Sequence, residues 1–211
     1  MLAFLVVACR APLRPTIQNP VPAPTSVEGL AAAIAADAER SDREPDSKLR
    51  SELATEASRD AEACLAREPQ AAACLYGRAV ALGLEARAHP TRASELLKNM
   101  LEYLASAEAA DPNYDQAGPA RVRALVLIRA PGWPLGPGDA ETGLVAARRA
   151  ATLRPQYPPN VLALAEAFAK TGDAKGAREN YERARDLAQA LPSAADRDGW
   201  LREADQALQR K

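Results

Sequence analysis

The chain has 211 residues, 47 % of them hydrophobic and 26 % charged, the proportions of a globular domain with a buried core rather than of a disordered chain. Its formal net charge of −1, with acids and bases interspersed, leaves no basic surface to neutralise phosphates and argues against nucleic acid as a partner. Aromatics make up only 4 % and the apolar share leans on Ala and Leu, which favours helices packed closely on helices over a β-rich core, so an all-α fold is expected.

Residues 1–9 read MLAFLVVAC, an apolar run too short to cross a bilayer. It ends in Val6-Val7-Ala8-Cys9, which resembles the lipobox at which bacterial lipoproteins are cleaved and lipidated on the cysteine, here Cys9. No Lys or Arg precedes the run and the run is short for a signal peptide; a start lying further upstream would account for both. The alternative is an apolar N-terminus without a targeting role. Residues 10–26 carry Pro12, Pro15, Pro20, Pro22 and Pro24, a density that blocks helix and favours extended polyproline II. At about 3.1 Å per residue such a tether reaches on the order of 50 Å.

The helical domain is expected over residues 27–211. Thr25-Ser26-Val27-Glu28 has capping-box spacing and is followed by Leu30, Ile34 and Ala38 on one face of a helix ending near Asp42. A second helix starts at Pro45-Asp46 and places Leu49, Leu53, Ala57, Ala61 and Leu65 at four-residue steps. A third carries Leu75, Ala79 and Leu82, and a fourth Leu97, Met100, Leu104 and Ala107. The next pair runs from Pro119 through Val122, Leu125 and Ile128, then from Asp139 through Leu144, Ala147 and Ala150. Between them lies Ala130 to Gly138, in which three prolines and three glycines surround Trp133 and Leu135. A plain connector would not carry two such side chains. The loop either forms a lip or folds Trp133 back over its own hairpin.

A proline closes successive units at Pro69, Pro112 and Pro155, a recurrence every 43 residues. Such a period belongs to two-helix repeats. In the last unit Val161, Leu164, Ala165 and Phe168, the turn Gly172-Asp173, and then Ala177, Tyr181 and Ala184 resemble a tetratricopeptide (TPR) repeat. Phe168 and Tyr181 are expected to fill the space between hairpins. Ser193-Ala194-Ala195-Asp196 resembles a capping box for a last helix with Trp200, Leu201, Ala204 and Leu208 on one side. The expected architecture is a TPR-like right-handed superhelix of about four antiparallel hairpins plus a C-terminal capping helix.

No chemistry is visible. The three cysteines have the wrong spacing for a zinc site, one histidine cannot supply a His-based metal cluster, and HExxH, Walker and GxSxG patterns are missing, so neither enzyme activity nor a cofactor is expected. His89, directly before Pro90, is expected to end a helix. Cys64 and Cys74 flank Pro69 and either form a disulfide, which would suit an oxidising compartment, or remain buried thiols.

Binding is the expected activity, on a concave wall lined by first-helix residues off the buried stripe: Tyr76 and Val80, then Arg123, then Leu162 and Glu166, with Trp133 at the loop. Glu166 and Arg123 could equally pair across the groove or stay solvated. The lining suits a peptide segment of a partner protein or an apolar small ligand.

Asp111-Pro112 with Tyr114, Gly118-Pro119, Pro131-Gly132, Gly138-Asp139, Pro155 with Tyr157, Asn160 and Ala165-Glu166 resemble the TPR-type T component of tripartite ATP-independent periplasmic (TRAP) transporters, the TatT-like lipoproteins. The resemblance covers roughly Ala107 to Ala190 and adds Asn160 to the candidate partner-binding residues. It implies a periplasmic lipoprotein, lipid-anchored with the outer membrane favoured, that docks a transporter's substrate-binding protein, as a homo-oligomer, and presents an apolar channel to a ligand. The competing expectation is a generic TPR protein-interaction scaffold of the cell envelope or cytosol, without a small-molecule ligand.

Overall fold

The computed structural model describes residues 25–192 and 196–209. Cys9, the Pro-rich stretch up to Pro24 and the Ser193–Ala195 part of the expected capping box lie outside the described residues. The described residues form α1 (Val27–Arg43), α2 (Ser47–Arg67), α3 (Ala72–Ala88), α4 (Ala93–Ala110), α5 (Tyr114–Arg129), α6 (Ala140–Leu153), α7 (Pro158–Lys170), α8 (Ala174–Ala190) and α9 (Arg197–Gln209), with a 3₁₀ turn at Pro90–Arg92. The chain therefore builds four antiparallel hairpins and a final helix, as the repeat predicts.

Local chemistry sets the boundaries. Ser26, Asp46, Asp139 and Asp173 each cap a helix by accepting a hydrogen bond from a first-turn N–H, at 2.7–3.0 Å. At α1 the cap is Ser26 with the Gly29 N–H rather than a Thr25–Glu28 box, because Ser26 is the residue in extended conformation. His89 ends α3, its N–H donating to the Glu85 carbonyl at 2.8 Å before Pro90. Gly172, at φ +88°, closes α7: its N–H reaches the Ala169 carbonyl while the Asp173 N–H reaches that of Phe168, the paired bonds of a Schellman turn.

The core is built largely from alanine. Ala57, Ala61, Ala79, Ala107, Ala124, Ala147, Ala150, Ala165 and Ala167 are fully buried, and larger groups such as Ile34, Leu104, Ile128 and Val161 lie among them. Small contact residues let the helix axes come close, so each hairpin packs along its length against the next. Phe168 and Tyr181 are only half-buried: Phe168 flanks the cluster around Ile128 and Leu144, under the Arg148 guanidinium, and Tyr181 flanks Val161 and Ala184. Leu49, expected on the buried face of α2, is 44 % exposed because α3 covers only the stripe Leu53, Ala57, Ala61 and Cys64.

Contacts between hairpins are one-sided. First helices pack on first helices, α1 on α3, α3 on α5 and α5 on α7, whereas among the described residues the backbones of α2, α4, α6 and α8 stay apart from one another, with α4 and α6 meeting through the Glu108–Arg149 ion pair at 3.5 Å. Helices that crowd on one side and splay on the other define a curve, with α1, α3, α5 and α7 on its inner wall. Cys64 and Cys74, both fully buried, are joined by a disulfide with Cα atoms 5.2 Å apart, tying the end of α2 to the start of α3 beneath Leu30.

One buried charge works against this packing. Asp37 of α1 is 7 % exposed, and burial first, then the nearby Glu56 and Asp60, raise its carboxyl above the ordinary value, with Arg40 pulling the other way. A carboxyl raised on folding stabilises the native state when protonated and loses that contribution as pH rises through its folded pKa. Asp37→Asn should therefore raise the urea midpoint at pH 7, and the gain should shrink to nothing as pH falls below about 4, the unfolded Asp range. A gain that stays constant with pH would contradict this origin.

Candidate functional site

The inner wall carries a groove of about 480 Å³. Its floor is one side of α1, where Ala31, Ala35, Ala38 and Glu39 lie over the buried Ile34, with Ala73, Gly77 and Val80 of α3, and its far wall is polar: Tyr76, Tyr114, Asp115, Arg121 and Tyr157. The far wall depends on an unusual backbone. Sequence periodicity starts the fifth helix at Pro119, and the right-handed part of α5 does start beside it, at Gly118; ahead of it Asp115, Gln116 and Ala117 take φ +46°, +55° and +64°. Three consecutive non-glycine residues in the left-handed region cost roughly 1–2 kcal/mol each.

What offsets that cost is a set of hydrogen bonds centred on Arg121 and Asn160. Arg121 Nη1 donates to the carbonyls of Asp115 and Gln116 and to Asn160 Oδ1 at 3.1–3.3 Å, and its Nη2 pairs with Asp115 Oδ2 at 2.9 Å. Asn160 Nδ2 donates to the Gln116 carbonyl at 2.9 Å and to those of Ala150 and Arg154 at 3.2 and 3.4 Å. The Tyr76 hydroxyl donates to Asp115 Oδ2 at 2.9 Å, which links α3 to the turn. Burial pushes the Tyr76 phenol well above its usual pKa, so it stays a neutral donor; Tyr114 and Tyr157 are raised for the same reason. Tyr76 meets Tyr114 edge-on at 5.5 Å, and Arg121 lies 5.3 Å from the centre of the Tyr157 ring, whose edge contact with Trp200 at 5.8 Å extends the chain to α9. Gly118 leaves room for this knot: a Cβ there would stand 2.6 Å from Asp115 Oδ2 and 2.9 Å from the Tyr76 oxygen, so both groups would have to shift to admit a side chain.

The structure separates the sequence-predicted residues. Tyr76 lines the groove, and Trp133 stands free of it, 90 % exposed beside Leu135 at 77 %. The loop does not fold Trp133 back over its hairpin. Leu162 and Asn160 are corrected: Leu162 is 4 % exposed and Asn160 fully buried, so neither can meet a partner. α9 packs over the face of α7 that bears Leu162, joining it to Ala184 and Ala204, while Asn160 turns inward to bond the Gln116 carbonyl of the left-handed turn and the Ala150 and Arg154 carbonyls at the end of α6. Glu166 and Arg123 do not pair with each other. Glu166 of α7 binds Arg129 of α5 through two bonds of 2.6 and 2.8 Å, and Arg123, on another side of α5, lies 3.5 Å from Glu108 of α4. The Arg129 guanidinium is held above its usual pKa chiefly by its hydrogen bonds to Glu166.

Sequence reasoning missed Asp115 and Arg121 as site residues. The one signal was the phrase Asp111 to Pro119, dense in turn-forming residues where a helix start was expected.

No family model matches the chain, and no curated protein matches it. Among solved structures it is similar to a thermophilic TPR protein of Thermus thermophilus, with a TM-score of 0.57 and 20 % sequence identity over 86 % of this chain and 92 % of that one. The fold is TPR-like. At that identity the likeness is one of fold.

Asn160→Ala removes one donor from each of three backbone carbonyls, which keep their bonds from Arg121, Arg154 and Tyr157, and takes the Oδ1 acceptor away from Arg121. It should destabilise the domain by about 1–3 kcal/mol in denaturant titration, since a net hydrogen bond contributes about 0.5–1.5 kcal/mol and one from a charged donor somewhat more. A change under about 0.5 kcal/mol would show that the left-handed turn stands without Asn160.

Proposed function

We propose that this chain is a non-enzymatic adaptor that seats a segment of a partner protein in the groove between α1, α3 and the start of α5. The observation that carries the reading is the groove itself: a floor of small and apolar side chains facing three tyrosines and a carboxylate held by Arg121. An apolar floor with tyrosine and charged groups along one wall is the composition of a peptide-docking surface, in which area supplies affinity and a few polar groups fix the register. None of the wall groups is placed as a nucleophile or base: Tyr76 is held neutral by burial, and Asp115 already accepts from Tyr76 and Arg121. An apolar small ligand is the second reading, favoured by a groove volume within the small-molecule range.

The adaptor works on the periplasmic side of the cell envelope, tethered through a lipid on Cys9, and its partner is a substrate-binding protein of a TRAP transporter. Support for the compartment comes from the Cys64–Cys74 disulfide, since such bonds persist under oxidising conditions, and from the lipobox-like Val6 to Cys9. Support for the partner is the likeness of Asp111–Glu166 to the T components.

Ala35 is exposed on the groove floor and makes no core contact, so Ala35→Arg should leave thermal stability unchanged. The same variant should weaken titration calorimetry binding to the organism's TRAP substrate-binding protein at least tenfold. Equal binding by the variant would move docking away from the groove, and no binding by wild type would reject that partner. Radiolabelled palmitate should enter wild-type protein in cells and be absent from Cys9→Ser; label retained by Cys9→Ser would refute the anchor.

A further inference from the structure

The loop between α5 and α6 is a fixed projection rather than a slack connector. The Gly138 N–H donates to the Pro131 carbonyl at 2.8 Å, the Leu135 and Gly136 N–H groups converge on the Gly132 carbonyl at 3.0 and 3.2 Å, and the Asp139 N–H returns to the Leu127 carbonyl at 2.9 Å. These bonds hold Trp133 and Leu135 in solvent, where two large apolar side chains on a hydrogen-bonded loop are an exposed anchor awaiting a recess.

A recess of matching chemistry exists on the same molecule. A pocket of about 450 Å³ lies between the α7–α8 turn and α9, walled by Ala169, Gly172, Ala174, Ala177 and Leu208, with Tyr181 and Arg178 on its sides. Its apolar walls suit an indole and a leucine side chain, and a guanidinium at the margin can lie over the indole face. The projection and the pocket also share one end of the helix stack. α5 and α7 run in the same direction and pack together, so the loop after α5 and the turn after α7 lie side by side.

We propose that a second copy of this chain fills the pocket: two copies meet at this end about a two-fold axis, each inserting Trp133 and Leu135 into the other's pocket between α8 and α9. Side-by-side placement lets one two-fold axis satisfy both contacts at once and close the assembly, whereas a projection and pocket on opposite faces would lead to open chains. Two indoles, two leucines and the walls receiving them amount to on the order of 1,000 Å² of buried surface, the low end for a specific interface, so a reversible dimer with a Kd in the micromolar range is expected.

The test uses the full chain carrying Cys9→Ser, which removes the proposed lipid without touching the helical domain. Sedimentation equilibrium from about 1 to 100 µM should show a monomer–dimer transition. Trp133→Ala, on an exposed residue, should weaken it at least tenfold with circular dichroism and melting unchanged, and Arg178→Ala should weaken it severalfold. Mixing a Leu135→Cys chain with an Ala174→Cys chain should give a disulfide-linked heterodimer after mild oxidation, absent when either is alone at the same concentration. A monomer throughout the range, a dimer unaffected by Trp133→Ala, or no cross-link between the two cysteine variants would each overturn the proposal. None of these readouts depends on the groove or on a partner protein, so their outcome is separate from that of the adaptor reading.

Discussion

Everything on the inner wall depends on the contact of Arg121 with Asp115, Gln116 and Asn160. A guanidinium has five donors and no acceptor, and here it is used to collect the carbonyls that a left-handed turn releases from helical bonding. Without it the three residues Asp115–Ala117 would hold an unfavourable backbone for no return. With it, the turn delivers Asp115 to the Tyr76 hydroxyl and Tyr114 to the Tyr76 ring, so that polar and aromatic contacts join the aliphatic packing of Val122 and Val126 at the junction between the second and third hairpins. That junction is also the far wall of the groove. The same bonds therefore set the curvature at this point and the chemistry of the surface offered to a partner.

The two ends of the repeat array solve different problems. At the N-terminal end the Cys64–Cys74 disulfide lies under Leu30 and fixes the first hairpin to the second covalently, where the core is thin and Leu49 remains in water. At the C-terminal end α9 covers the face of α7 that would otherwise present Val161 and Leu162, and Trp200 brings α9 against the Tyr157 ring. Arg129, Glu166 and Glu203 join α5, α7 and α9 along the inner wall, where burial leaves Glu203 with a raised pKa beside its cation. Charges that could have served as groove contacts are spent on holding neighbouring first helices together.

Function and fold are thus distributed unevenly. The first helix of the fourth hairpin, the unit that most resembles a regular repeat, is nearly all scaffold, with Asn160, Val161, Leu162, Leu164 and Ala165 buried. The irregular parts carry the exposed chemistry: the left-handed turn before Gly118 and the Trp133 loop after Arg129, one at each end of α5. A repeat array gains surface diversity where it departs from its repeat, because regular positions are already committed to packing against the next unit.

The sequence by itself determined the helices and their order. Alanine and leucine at helical spacing, a helix start at Asp46, Gly172 at a helix end and proline recurring every 43 residues act through local geometry, and local geometry is legible in a linear pattern. Which face of each helix meets solvent was decided only by the tertiary structure. Leu162 and Asn160 lie off the repeat's buried stripe, yet α9 covers the first, and the carbonyls of residues 116, 150 and 154 draw in the second. Glu166 finds Arg129 across 37 residues rather than Arg123, and Tyr76 finds Asp115 across 39. Partners that distant are selected by how hairpins stack, a property of the assembled array that no single segment encodes.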